Sequence, residues 1–93
     1  VLRGQLLFIT FDDLGGLQTV TRLSAHHNYG IDIAPGIWHS IIVESDTAIC
    51  FEVKPGPYAP ASDKDFAPWA PREGEAGCAQ YTERLLLQIS KFV

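Results

Sequence analysis

An antiparallel all-β fold, a small sandwich or barrel followed by one helix, is the class this sequence predicts. Three observations point to it. Short runs rich in β-branched and aromatic residues recur, with turn signals about every 8–12 residues. The 93-residue length suits a single domain. Helical spacing of apolar residues occurs only in the last stretch. The expected organisation is barrel strands over 1–54, a proline-rich wrap over 55–78 and a C-terminal helix over 79–93.

The first strand is "QLLFITF" (5–11). Gln5, Leu7, Ile9 and Phe11 share one face, and Leu6, Phe8 and Thr10 the other. Both faces are largely apolar, so this strand is expected to be buried on both sides. "DDLGG" (12–16) is a turn: aspartates favour its early positions and glycines supply positive φ. "LQTVTRLS" (17–24) then closes a hairpin. "AHHNYG" (25–30) is a polar link, and "IDI" (31–33) is a short strand stopped by "APG". "WHSIIV" (38–43) is the next strand, with His39, Ile41 and Val43 on one face. After the turn "ESD", the segment "TAICFEVK" (47–54) has the clearest strand pattern of all.

At residue 55 the character changes. "PGPYAPASDKDFAPWAPREGEAG" carries Tyr58, Phe66 and Trp69 among most of the prolines, which excludes strand and long helix. A linker seldom carries three large aromatics, so an ordered wrap is expected. "AQYTERLLLQISKF" (79–92) places Tyr81, Leu85, Ile89 and Phe92 at near-helical spacing.

Composition narrows the partners. A net charge of -4 argues against nucleic acid and anionic membranes. No apolar run reaches the roughly 18–20 residues of a membrane span. No secretory signal is recognisable, so a cytoplasmic location is expected, with Cys50 and Cys78 as free thiols. A chain this small gains from association, and a homodimer is the expected assembly. The chain opens in what reads as mid-strand and holds no Met, so it is expected to be a fragment, a processed chain or a sequence lacking its N-terminal part, with a natural half-domain as the alternative.

Chemistry concentrates at "PGIWHS" (35–40). The Pro35-Gly36 turn sets His39 at the head of a strand, and a strand gives an imidazole the fixed angle that a metal ligand needs. The alternative is a histidine capping a hydrophobic core. "GIDIAPGIWH" resembles the second of the two cupin motifs. "LRGQLLFITFDDLGGL" (2–17), "IAPGIWHSIIV" (33–43) and above all "FEVKPGPYAPASDKDFAPWAPREGE" (51–75) resemble the WbuC-type cupin-fold metalloproteins over nearly the whole chain. That resemblance implies a cupin jelly-roll barrel, a bacterial source and one divalent metal at the barrel mouth. It also implies a role near surface-polysaccharide biosynthesis, and no particular reaction.

The chain departs from the pattern in one respect. The first cupin motif, H-x-H with a following carboxylate, is not in it. A metal site takes about three or four protein ligands, and His39 alone maps onto one. His26 and His27 are adjacent, point to opposite sides of an extended segment and read as solvated loop residues. Glu52 and Lys54 are either a solvated pair or contacts to a polar ligand inside the barrel. With Trp38 and Tyr58, which read first as packing residues, they complete the candidate substrate-binding set. Asp63-Lys64-Asp65 reads as a solvated turn. Ser40 follows His39 directly on a strand, so the two point apart and make no nucleophile–base pair. Phosphate-loop, dinucleotide, C-x-x-C and H-E-x-x-H motifs are absent from the sequence. Two functions stay open. One is a divalent-metal protein acting on a small polar, sugar-like substrate. The other is a metal-free half-cupin that binds a small ligand or serves assembly.

Overall fold

The computed structural model describes residues 1–54, 66–72 and 74–92. Three strands and a helix make the frame: β1 (Gln5–Phe11), β2 (Leu17–Ser24), β3 (Trp38–Val43) and α1 (Cys78–Phe92). The sheet is antiparallel with β1 in the centre, in the order β2-β1-β3. This explains why β1 is apolar on both faces. A central strand has no solvent side to spare once each face is covered.

The β1–β2 hairpin turns on Asp12. Its Oδ1 accepts from the backbone N–H of Leu14 at 2.9 Å and of Gly16 at 2.7 Å. Gly15 takes φ of 92°, a left-handed conformation open to glycine at little cost. The ladder runs from Gln5↔Ser24 to Thr10↔Thr19 and slips at Phe11↔Leu17. On the other side β1 pairs with β3 from Leu6↔Val43 to Phe11↔Trp38.

Register sorts side chains onto two faces. Leu7, Ile9 and Phe11 pack with Leu85 and Ile89 of α1, and Leu17, Val20, Trp38, Ile42, Trp69 and Tyr81 surround them. The helix therefore buries the face expected from its spacing, with Leu85 and Ile89 buried and Tyr81 half-buried. Leu6, Phe8 and Leu23 form a smaller cluster on the opposite face, closed at one end by Val1 and Ala48.

Two expected strands are corrected. Residues 31–33 form no strand, and Ile31 and Ile33 are exposed. Among the described residues, 47–54, the clearest strand pattern in the sequence, form only one bridge, Arg3↔Ile49. The cause lies in the turn before them. Gln5 donates its backbone N–H to Ser45 Oγ at 2.9 Å, and that hydroxyl donates to Thr47 O at 2.6 Å. The backbone N–H of Glu44 donates to Gln5 O at 2.9 Å. These bonds carry the chain across the end of β1 rather than back along β3. A β-prone sequence without a neighbouring ladder does not become a strand. Among the described residues the sheet consequently stays open and does not close the expected barrel. What holds is the coarser class: a small antiparallel sheet with one C-terminal helix.

Half of the proline-rich segment, 55–65 with residue 73, lies outside the described residues, and with it Tyr58 and Asp63-Lys64-Asp65. In its described part, Trp69 packs on Phe11 at 5.0 Å between ring centroids and on Trp38 at 6.1 Å. Cys50 and Cys78 are free thiols. Among the described residues no helix is long and apolar enough to cross a membrane.

Candidate functional site

His39 is the second residue of β3 and lies opposite Thr10 on β1. Gly36, at φ of 80°, makes the turn that delivers the chain into β3. The ring is exposed and stacks on Phe8, with centroids 5.5 Å apart and planes 25° apart. Its Nδ1 lies 2.8 Å from Ile37 O. A carbonyl only accepts, so Nδ1 carries the proton and donates. In the neutral ring Nε2 is then left as the lone-pair atom. A backbone carbonyl on the second ring nitrogen is the usual device for fixing a ligating imidazole.

An open cleft of about 920 Å³ runs around β3, and Trp38, His39, Glu52 and Lys54 all line it. Four of the five residues singled out from the sequence thus border one space; the fifth, Tyr58, lies outside the described residues. They do not all face it alike. Trp38 and His39 are successive strand residues and project from opposite faces of β3. Trp38 joins the helix-side core, whereas His39 lies on the Phe8 side. Glu52 and Lys54 are both exposed and pair with each other, Nζ to Oε1 at 3.1 Å. They are reached by an extended segment, not by a strand face.

Phe8 is the residue that sequence reasoning missed. Alternation places it on the face of Leu6 and Thr10, but its neighbour across the ladder is Ile41, and it reaches His39 on the diagonal. The signal was present in β1; the register that joins it to His39 was not. His26 and His27 are exposed in the link after β2, and Asn28 O accepts the backbone N–H of Ser24 at 2.9 Å, a turn role.

Among the described residues no group of three or more His, Cys, Asp or Glu is placed to hold a metal ion. On this face the described residues bring one oriented imidazole, that of His39. Comparison with known proteins found no matching family model, curated protein or solved structure.

Proposed function

We propose that this chain is a cupin-type module binding a small polar, sugar-like ligand on the face that carries His39. The observation behind this reading is the fixed imidazole: Nδ1 is tied to Ile37 O at 2.8 Å, and Nε2 has no hydrogen-bond partner among the described residues. The cleft beside it, with the Glu52–Lys54 pair on its border, supports a polar ligand. A divalent metal belongs to this reading only where ligands beyond the described residues complete the set, because His39 alone does not hold one. In that form the module is metal-dependent and serves chemistry of the surface-polysaccharide type that the cupin resemblance implies.

The test is a titration of the chain with glucose, followed by proton–nitrogen correlation spectra. Saturable shifts are expected first around His39, Thr10 and Phe8, and are lost in His39→Gln. No saturable shift, shifts that centre on His26 and His27, or shifts that survive in His39→Gln overturn the assignment.

A second reading, a metal-free assembly module, draws on the same face. Ile41 and Val43 are 47% and 48% exposed there. In this reading a second copy of the chain covers them as a homodimer. Sedimentation tests it: a dimer that dissociates in Ile41→Lys supports assembly through this face, and a monomer at all concentrations refutes it.

A further inference from the structure

A second, smaller cavity adjoins the His39 cleft and shares Trp69, Tyr81 and Leu85 with it, while Gly15, Arg84 and Gln88 are its own. It measures about 200 Å³ and is lined by Gly15, Trp69, Tyr81, Arg84, Leu85 and Gln88. Four of these are α1 residues. Tyr81, Leu85 and Gln88, together with Arg84, lie three or four positions apart and so follow one side of the helix.

Donors outnumber acceptors in this wall. Arg84 has five N–H donors and no acceptor. Its guanidinium lies over the Tyr81 ring, 5.8 Å from the centroid, and forms no ion pair among the described residues. The cation–π contact sets the group at the cavity while leaving its hydrogen-bonding edge unused. Gln88, one turn further along, adds an amide. Burial pushes the Tyr81 phenol up, with Arg84 pulling it partly back, so the wall is partly withdrawn from water. The floor is apolar: Leu85 is buried, and the Trp69 ring lies so close to Gly15 that a Cβ there would come within 2.8 Å of it.

The geometry points to a binding site for a small organic carboxylate, its head on the Arg84 guanidinium and the Gln88 amide and its short apolar body against Leu85 and Trp69. A planar guanidinium matches a carboxylate with two parallel hydrogen bonds, and the apolar floor favours an acid with a short hydrocarbon tail over a bare anion. The cavity volume suits a ligand of a few heavy atoms, whose affinity is expected in the millimolar range.

Trp69 supplies the reporter. Its indole N–H is buried and has no hydrogen-bond partner among the described residues. The chain holds two tryptophans, so Trp38→Phe assigns the two indole resonances. The full chain is titrated with sodium butyrate at constant ionic strength, with sodium chloride and inorganic phosphate as comparisons. A saturable shift of the Trp69 indole resonance is expected with butyrate only. It weakens by about tenfold or more in Arg84→Gln, the loss of a charge-assisted bidentate contact. It stays unchanged in His39→Gln, so its fate is separate from that of the His39 face. Arg84 is exposed, and a spectrum with its dispersion intact shows that the variant folds. No saturable shift, an equal response to phosphate, or a shift that persists undiminished in Arg84→Gln each overturns the proposal.

Discussion

The two faces of the sheet have similar apolar content and different fates. On one, Leu7, Ile9 and Phe11 lie under α1, and Ile9 is 0% exposed. On the other, Leu6 and Phe8 are buried, yet Ile41 and Val43 of β3 stand about half exposed. What separates them is the covering element. α1 brings Leu85 and Ile89 at the spacing needed to cover a strand, whereas residues 47–54 reach the opposite face only as far as Ala48 and one bridge. An apolar side chain contributes to stability only through what is brought over it. The same strand residue type therefore acts as core on one face and as surface on the other.

The comparison breaks most visibly at its covered side. Ile9→Ala is expected to cost about 3 kcal/mol, the usual scale for emptying a filled core position, read as a fall in the denaturant midpoint. Gly4→Ala comes next. Gly4 has φ of 83°, and a Cβ there would lie 2.3 Å from Thr47 O. The expected cost is about 2 kcal/mol, because backbone rather than a movable side chain blocks the way. Slowed-exchange protection of the Ile49 amide, which donates to Arg3 O at 2.9 Å, should fall in the same variant.

Ile41→Ala sharpens the contrast, with an expected loss below about 1 kcal/mol. A loss as large as that of Ile9→Ala would mean that the open face is covered in solution, and would favour the homodimer.

The smallest effect is electrostatic. The Arg22 guanidinium bonds Glu44 at 2.9 Å and holds its carboxyl below the usual range, with Gln5 adding to the pull and burial opposing it. A depressed carboxyl stabilises the fold above its unfolded pKa, and that contribution is lost as pH falls through the folded value. Glu44→Gln should flatten the acid limb of the stability profile slightly, and added salt should do the same because the pair is solvent-facing.

The frame was legible in the residues. Alternation and turn chemistry located β1, β2 and β3, and helical spacing located α1 one residue short of its start at Cys78. These elements carry their own signal, as Asp12 and Gly15 do for the hairpin. Residues 47–54 show where that signal fails. "TAICFEVK" satisfies every local rule for a strand, and the hydrogen bonds of Ser45 route it away from a ladder. Pairing is a property of two segments, and only one of them is visible in a local pattern. The site follows the same logic. His39 stood out through its turn and strand, but the Phe8 ring beneath it and the adjoining Arg84 cavity depend on register and packing.

The bridge at Ile49 has a consequence for how the protein behaves in bulk. Beyond it, Phe51 and Val53 are 76% and 80% exposed in a run that alternates as a strand does. Such a run is a template for intermolecular cross-β stacking. Mutual repulsion between like-charged molecules opposes that association, and the net charge of -4 at neutral pH provides it. Repulsion fades toward the isoelectric point near 5.1. The colloidal life of the chain in mildly acidic solution is therefore expected to follow the exposed Phe51 and Val53 rather than the strength of its core.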